Sequence, residues 1–479
     1  MESLWLNRVS LPERESLSGE HKADVAVIGG GMAGILTAYF LKQRGRKPVV
    51  LEAARIGSGQ TGRTTAKITA QHGLIYHRLL RAFGEEKAAQ YARANQRAVE
   101  RYRELVNTLS IDCDFEECAS YLYALEDPQP VELEAQAAQK LGIPSELLGV
   151  TELPFSVKTA LRFPGQAQFD PIRFLAAVSK DLVIYEHTPV LEIKGNRLTI
   201  PGGTVTANQV VMATHFPFVN APGYYFMRMH QERSYVLALE NAPKLHGMYY
   251  CAEEGSYSFR SAGEYLLLGG AGHRTGENKE GGCYADLRSA AKRFYPDSRE
   301  AFAWSAQDCM PADGVPLIGR FSSKIPELYV ATGFQKWGMT SSMVSAMILS
   351  DLLEGKEPED AKIFSPQRFN LAASGAALLE DGLQAVKGLG KTLFHFPADA
   401  AEDLPAGHGG IVELSGKKLG VYKDDQGQIF AVQARCPHLG CELSWNPDEK
   451  SWDCPCHGSR FDYQGNLLDN PAQENLHHQ

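Results

Sequence analysis

Two short segments rich in cysteine and histidine constrain the fold of this chain more than any other feature. They read Cys-Pro-His-Leu-Gly-Cys at 436–441 and Cys-Pro-Cys-His at 454–457. Two cysteines with two histidines make zinc the first metal to consider. However, the first segment separates its cysteine and histidine by a single residue, and each segment has a second cysteine that a four-ligand zinc site does not need. Their prolines and glycines suit tight loops whose N–H groups point at sulfide ions. We therefore predict an iron–sulfur cluster, with zinc or no metal as the alternative.

The two segments, continued by Gly-Ser-Arg-Phe-Asp at 458–462, closely resemble the Rieske proteins of the cytochrome bc type. The resemblance implies a [2Fe–2S] cluster in which two thiolates hold one iron and two neutral imidazoles hold the other. It assigns as cluster ligands Cys436, His438, Cys454 and His457. It also implies that the two spare cysteines, Cys441 and Cys456, form a disulfide that locks the two loops together.

One residue departs from the Rieske pattern. The family usually has a tyrosine, whose hydroxyl donates to a ligand sulfur, where this chain has Phe461, whereas the second donor, Ser459, is kept. Donors to sulfur favour the reduced, more negative cluster. We therefore expect a reduction potential below that of the respiratory Rieske proteins.

A second motif lies near the N-terminus. Residues 24–28 are typical of a buried strand, residues 29–34 read Gly-Gly-Gly-Met-Ala-Gly, a helical stretch extends to about Gln43, and a second strand ends at Glu52. This βαβ pattern predicts a parallel, doubly wound sheet. The glycines allow a pyrophosphate to approach the start of the helix, and Glu52 is placed to bind ribose hydroxyls. A purely structural turn is the alternative.

Further segments favour FAD over NAD as the dinucleotide. They are a glycine-rich loop at 57–65, a strand at 210–214, Asp-Gly-Val-Pro-Leu-Ile-Gly at 313–319, and a strand, turn and helix at 328–340. Over about residues 20–365 these resemble the D-amino-acid oxidase-like flavoproteins, such as glycine oxidase and sarcosine oxidase. The resemblance assigns as FAD-binding residues Gly29, Gly31, Met32, Ala33, Gly34, Glu52, Ala53, Arg63, Thr64, Thr65, Thr214, Gly333, Gly338, Met339 and Thr340.

The two resemblances together predict an α/β plus all-β chain. An FAD-binding Rossmann-like domain is interleaved with a substrate domain on a mixed or antiparallel sheet, and a small Rieske β-sandwich follows. The whole chain resembles the D-amino-acid dehydrogenase-like flavoproteins that carry a C-terminal Rieske domain. The predicted boundaries are 1–371 for the flavoprotein, 372–397 for a linker and 398–479 for the Rieske domain. Within the flavoprotein we assign about 20–80, 150–215 and 305–365 to FAD binding, and about 85–150 and 216–304 to the substrate domain.

Catalytic residues are harder to predict, because the flavin of such enzymes takes the hydride itself and the protein orients the substrate. Lys336 lies in the turn expected to approach the flavin, where a cation could stabilise the reduced anion or assist reaction with oxygen. Arg260 lies in the mixed sheet and could clamp a substrate carboxylate. An exposed lysine and a structural ion pair are the respective alternatives. The loop at 61–67 departs from the Ser-Gly-Arg-Asn-Gly-Gly pattern of relatives, so we expect a different pocket beside the flavin.

Composition limits the partners and the compartment. The net charge of −9 argues against nucleic acid, which requires a basic face. No apolar run approaches the roughly 18 residues of a membrane span, and no secretory signal is visible. The remaining cysteines are scattered, as is typical of free thiols in a reducing compartment. We therefore expect a cytoplasmic protein.

These features predict an FAD-dependent oxidoreductase that acts on a C–N bond. It oxidises a small amine or amino-acid-like substrate and passes electrons singly through the Rieske cluster to an external acceptor protein. Two alternatives remain open. One is an oxygen-using flavin oxidase whose Rieske domain is structural or senses redox state. The other is a non-catalytic electron-transfer partner that receives electrons from a donor protein.

Overall fold

The computed structural model describes residues 2–368, 404–414 and 417–478. The predicted linker, residues 372–397, lies outside the described residues. Within the described ranges, two large sheets belong to the part before residue 369, and two small sheets belong to the part after residue 403. None of the helices in these ranges combines the length and the hydropathy that a bilayer span requires.

The strands, in chain order, are β1 (Gly19–Ile28), β2 (Pro48–Leu51), β3 (Lys67–Ile68), β4 (Glu116–Ala124), β5 (Glu146–Leu148), β6 (Thr159–Gln168), β7 (Val183–Tyr185), β8 (Glu192–Lys194), β9 (Arg197–Ile200), β10 (Gly203–Met212), β11 (Met229–Glu240), β12 (Gly247–Cys251), β13 (Ser258–Ala262), β14 (Tyr265–Arg274), β15 (Arg299–Pro311), β16 (Leu317–Ser322), β17 (Ile325–Thr332), β18 (Gly409–Leu414), β19 (Lys417–Lys423), β20 (Ile429–Gln433), β21 (Ser444–Asn446), β22 (Ser451–Asp453), β23 (Arg460–Asp462) and β24 (Leu467–Asp469). The α-helices are α1 (Leu4–Arg8), α2 (Met32–Gln43), α3 (Tyr76–Phe83), α4 (Glu85–Leu109), α5 (Gln129–Lys140), α6 (Pro171–Ser179), α7 (Cys283–Phe294) and α8 (Gly338–Leu352). Short 3-10 helices occupy Gln60–Arg63, Tyr225–Met227 and Glu359–Phe364.

The first sheet is the predicted Rossmann-like sheet. Its parallel strands follow the order β17, β10, β1, β2 and β7, and β16 extends the edge in the antiparallel direction. Helix α2 begins directly after the glycine turn that follows β1. A Cβ atom at Gly34 would lie 2.0 Å from the carbonyl oxygen of Gly29, so only glycine lets the helix approach this turn.

The second sheet is the predicted mixed sheet. Its strands follow the order β15, β11, β14, β13, β12, β4, β6 and β3, and β12 runs parallel to β4 whereas the other neighbours along this path are antiparallel. Each of the three segments that we assigned to FAD binding contributes to this sheet, because β3 and the end of β15 are among its strands as well as β6. Residues 159–168, which we assigned to the FAD-binding segment 150–215, form β6 of this second sheet, because they pair along their length with β4.

The C-terminal module consists of two small antiparallel sheets, as predicted for a Rieske domain. Strands β18 to β20 form one sheet and β21 to β24 form the other. The rings of Trp445 and Trp452 lie 4.7 Å apart in the core between the strands. Buried Cys436 and Cys454 belong to the same core cluster, so the cysteine loops are anchored by aromatic packing.

Candidate functional site: a cofactor cavity beside a cluster-bearing module

A cavity of about 1520 Å³ opens at the carboxyl ends of β1, β2 and β10. This is the edge at which doubly wound sheets bind dinucleotides. The cavity wall includes twelve of the predicted FAD-binding residues: Gly29, Gly31, Met32, Ala33, Glu52, Ala53, Arg63, Thr64, Thr65, Thr214, Gly338 and Met339. The three other predicted residues, Gly34, Gly333 and Thr340, do not line it. Thr340 instead exchanges hydrogen bonds with the backbone of Thr69, which ties the start of α8 to the segment after β3.

The chemistry of this wall fits FAD. Glu52 directly follows β2, and its carboxylate accepts hydrogen bonds from the N–H groups of Gly30 at 2.6 Å and Ala54 at 2.8 Å. Burial raises the pKa of Glu52. The start of α2 lies beside it, with Met32 in the cavity wall. A helix N-terminus for pyrophosphate and a nearby acid for ribose hydroxyls are the donor and acceptor groups that a dinucleotide requires.

The C-terminal loops bring the four predicted cluster ligands together. Cys436 and Cys454 are both buried and neither forms a disulfide. The imidazole rings of His438 and His457 lie 5.0 Å apart and nearly perpendicular. His438 Nδ1 is buried without a hydrogen-bond partner in the described part of the chain, whereas its Nε2 lies 2.8 Å from Asn220 Oδ1. Such a nitrogen atom fits a metal ligand, so this set fits the cluster.

The predicted disulfide between Cys441 and Cys456 is present. The sulfur atoms of Cys441, Cys454 and Cys456 all lie within 4.8 Å of one another. The disulfide therefore lies directly beside a predicted ligand and holds the two ligand loops together.

Lys336 lies in the cavity wall, between two carboxylates. Its Nζ atom is 3.2 Å from Glu232 Oε2 and 3.6 Å from Asp308 Oδ2. Burial disfavours the ammonium charge, but the two carboxylates raise the pKa of Lys336. Lys336 is therefore a paired cation. Trp337 and Tyr235 also line the cavity.

Arg260 is not part of the cavity wall. Its Nη1 atom donates to Ala66 O at 2.7 Å, and its Cζ atom lies 5.4 Å from the centre of the Trp5 ring. These contacts hold the guanidinium against the N-terminal helix and the residue before β3. The placement argues against the carboxylate clamp that we predicted for Arg260.

Lys67, to which the sequence assigned no role, lines the cavity at the start of β3. Its Nζ atom donates to Thr65 Oγ1 at 3.2 Å, and within the described ranges no carboxylate pairs with it. Burial, and to a smaller extent the charge of Arg260, lowers the pKa of Lys67 to about 7. The signal in the sequence was the loop at 61–67, which departs from the family pattern at this point.

The C-terminal module also contributes to the cavity wall. Asn470 lines the cavity, and its Nδ2 atom donates to Thr214 O at 2.9 Å and to Phe216 O at 2.7 Å. These two carbonyls flank His215, whose φ of +67° is uncommon for a residue other than glycine. His215 Nε2 lies 3.1 Å from Gln231 Oε1, and burial lowers the pKa of this imidazole. No motif in the sequence indicated this arrangement.

A buried network of charges joins the module to the second sheet. Glu449 Oε2 lies 2.8 Å from Arg233 Nη2 and 3.3 Å from Arg460 Nη2. Arg460 also pairs with Asp453 and Asp469, at 3.0 Å in each case. Burial opposes the ionisation of Glu449, but Arg233 and Arg460 together lower its pKa to about 2. The network thus sets two arginines against three carboxylates.

A substitution at Phe461 directly tests the low reduction potential that we expect for the cluster. Its side chain is fully buried in the same core cluster as Cys436 and Cys454. We expect Phe461→Tyr to raise the potential by roughly 20–60 mV, the equivalent of one hydrogen bond of about 0.5–1.5 kcal/mol that is stronger in the reduced cluster. Potentiometric titration followed by EPR measures the shift, with Phe430→Tyr in the other small sheet as the control. An equal or lower potential in Phe461→Tyr would contradict the expectation.

Comparison with protein families divides the chain at the same place as the fold. The model of the family "FAD dependent oxidoreductase" matches residues 24–352. The model "Rieske [2Fe-2S] domain" matches residues 394–478. The first match covers the part that forms the two large sheets, and the second includes both cysteine loops.

Individual relatives show the same two parts. The chain is 38% identical to a putative Rieske 2Fe-2S iron-sulfur protein, YhfW, of Bacillus subtilis, over 98% of this chain and 96% of that protein. It is 23% identical to gamma-glutamylputrescine oxidoreductase of Escherichia coli, over 71% of this chain and 86% of that protein. Among solved structures, glycine oxidase from Geobacillus kaustophilus superposes with a TM-score of 0.62 at 21% identity, covering 73% of this chain and 99% of the oxidase.

Proposed function

Because this chain belongs to the FAD dependent oxidoreductase family and carries a C-terminal Rieske [2Fe-2S] domain, we propose that it oxidises a small amine and delivers the electrons to an external one-electron acceptor through the cluster. The observation that carries the proposal is the shared cavity wall. Asp469 and Asn470 of the C-terminal module line the cofactor cavity together with Thr214 and Glu52 of the first sheet. The C-terminal module, which carries the predicted cluster ligands, therefore borders the cofactor cavity.

The cofactors define the chemistry that the chain has to support. Bound FAD supplies a two-electron acceptor for a C–H bond next to nitrogen, and the Rieske cluster supplies a one-electron carrier. An amine substrate must lose its ammonium proton before this C–H bond can react, so a base is needed beside the cavity. Lys67 meets that need, because its amine lies in the cavity wall and its pKa of about 7 leaves it largely neutral above neutral pH.

Aromatic side chains give the cavity one rigid wall. The indole of Trp337 stacks on the buried ring of His72 with centroids 4.9 Å apart. The ring of Tyr250 meets the same indole edge-on at 5.2 Å. Both Trp337 and Tyr250 line the cavity, so they can exclude water and hold the apolar part of a small substrate.

The relatives support a C–N bond as the site of oxidation. Gamma-glutamylputrescine oxidoreductase and glycine oxidase are both named for nitrogen-bearing substrates. The carboxyl groups beside Lys336 favour the same class, because Glu232 and Asp308 place two acidic side chains around one lysine in this region of the wall. We therefore propose that the substrate carries a cationic amine.

An anaerobic screen tests the proposal. Primary amines, secondary amines and amino acids are mixed in turn with the holoprotein, while flavin absorbance and the EPR signal of the reduced cluster are recorded. We expect one class to bleach the flavin and to reduce the cluster in the same sample. Ferricyanide, a one-electron oxidant, should then restore the flavin absorbance and abolish the EPR signal of the reduced cluster.

A variant without the cluster provides the control. In His457→Ala the same amine should still bleach the flavin, but turnover with a one-electron acceptor should be lost. Rapid turnover with oxygen that is unchanged in His457→Ala would instead favour the flavin oxidase. If a reductase, but no small molecule, bleaches the flavin, the chain is an electron-transfer partner.

A further inference from the structure

Two glutamines on neighbouring strands hold the second cluster loop against the second sheet. Gln231 lies on β11 and Gln307 on β15, and both are almost completely buried. Gln231 Nε2 donates to the carbonyl oxygen of His457 at 2.7 Å. Gln307 Nε2 donates to the carbonyl oxygen of Gly458 at 2.7 Å. Two consecutive peptide groups of the ligand loop are thus bound by side chains of the flavoprotein part.

The backbone of the loop approaches this sheet as closely as it can. Gly458 has a φ of +80°, and a Cβ atom at this position would lie 2.6 Å from the Cβ atom of Gln231. Any larger residue would push the loop away from the glutamines. The contact is therefore built for close approach, and it fixes the position of the adjacent predicted ligand, His457.

The hydrogen bonds determine how both amides are oriented. Gln231 Nε2 also donates to Asn470 O at 3.1 Å, so its NH₂ group is fully used and Oε1 must accept. Gln307 Nε2 donates to that Oε1 atom at 2.7 Å. His215 Nε2, at 3.1 Å from the same oxygen, must therefore carry a proton. Nδ1 is then the unprotonated nitrogen of the neutral His215 ring.

These contacts form one continuous chain of hydrogen bonds. It starts at His215 in the cavity wall, passes through the side-chain amide of Gln231 and ends at the peptide carbonyl of His457. The unusual φ of +67° at His215 is held from both sides by Asn470 of the C-terminal module. Strained residues that neighbouring groups hold in place are characteristic of functional sites.

We propose that His215 and Gln231 form the electron path from the flavin cavity to the Rieske cluster, with Gln231 as the positioning residue. This inference rests on the proposed function and adds the route to it. Each passage of an electron along this path, from the flavin cavity to the cluster, reduces the cluster by one electron. Oxidation of one amine to its imine releases two electrons and two protons. Two passages are therefore needed, the protons leave to solvent, and an external one-electron acceptor reoxidises the cluster between the passages.

The test measures electron transfer within the holoprotein and needs no substrate. Pulse radiolysis delivers single electrons to the oxidised protein, and absorbance follows their redistribution between flavin and cluster. We expect Gln231→Met to slow this redistribution by roughly 10–100-fold, the usual effect of removing an outer-shell partner of a metal site. The FAD content, the cluster content and the EPR spectrum of the reduced cluster should remain as in the wild type. A merely structural role would change these three properties.

A second variant and a matched control complete the test. His215→Asn removes the imidazole but suits the positive φ, since asparagine tolerates this region better than most residues, and we expect it to slow the transfer as well. Asn278→Leu removes another contact between the two parts, the hydrogen bond from Asn278 to Asp448 at 2.9 Å, and should keep the wild-type rate. Wild-type rates of electron redistribution in both Gln231→Met and His215→Asn would overturn the proposed electron path but not the proposed function. No redistribution in the wild type would overturn the proposed function itself.

Discussion

Replacing Lys67 with methionine should slow the reduction of bound flavin by an amine substrate by roughly 10²–10⁴-fold, the usual contribution of a general base. The reason is the environment of its amine. Lys67 lies in the cavity wall with Thr65 as its hydrogen-bond partner, whereas Lys336, which lines the same cavity, is held as a cation by two carboxylates. Anaerobic stopped-flow absorbance, with the amine found in the screen, measures the rate of flavin reduction.

The pH dependence of that rate distinguishes a base from a simple cation. Because the pKa of Lys67 is lowered to about 7, its reactive neutral form is lost as the pH falls through 7. The wild-type rate should therefore fall about tenfold per pH unit below that value. The Lys67→Met variant should not show this inflection.

Lys67→Arg serves as the matched variant, because arginine keeps a positive charge at the same position and cannot act as a base. We expect it to be as slow as Lys67→Met. A rate near that of the wild type in Lys67→Arg would show that the site needs a charge. That result would contradict the assignment of Lys67 as a base.

The parts of this site that could be predicted from the sequence depend on local motifs. The glycine turn at 29–34 can be recognised from the spacing of residues within one βαβ unit. In the structure this turn lies at the cavity. The cysteine loops are also local, and the predicted disulfide between Cys441 and Cys456 is confirmed. In both cases the geometry depends on residues that are close in the chain, so the spacing of these residues in the sequence is sufficient to predict it.

Residues whose role depends on distant parts of the chain could not be assigned in this way. Arg260 lies on a short strand, where alternation alone does not reveal which face meets the substrate, and its partner Trp5 comes from a helix that we had not predicted. Lys67 owes its low pKa to tertiary burial. Gln231 and His215 acquire their proposed role only when the C-terminal module packs against them, and no feature of the sequence determined that packing.

The charge network around Glu449 predicts a large effect on the association of the two parts. In Arg233→Met, Arg460 alone faces the three carboxylates of Glu449, Asp453 and Asp469. Leaving buried charges uncompensated in this way costs roughly 3–5 kcal/mol. Because separation of the C-terminal module returns these groups to water, we expect the docking equilibrium to shift by roughly 10²–10⁴-fold towards the separated form.

Small-angle X-ray scattering of the holoprotein measures this separation as an increase in the radius of gyration. Glu449→Gln is the informative comparison, because it leaves two arginines facing two carboxylates and should remain docked at neutral pH. Arg299→Met removes an exposed ion pair with Glu240 and should leave the scattering unchanged. An unchanged radius of gyration in Arg233→Met would show that other contacts are sufficient to hold the module.

Acid should weaken the same docking contact in the wild type. The pKa of Glu449 is lowered to about 2, and docking contributes the share of this effect that comes from Arg233, so the pair with Arg233 stabilises the docked form fully above pH 4.5. That contribution is lost as the pH falls from 4.5 towards 2, where Glu449 becomes protonated. Glu449→Gln lacks this contribution at every pH, so its docking should change less over the interval than that of the wild type. An identical acid profile in the two proteins would show that Glu449 does not control the contact.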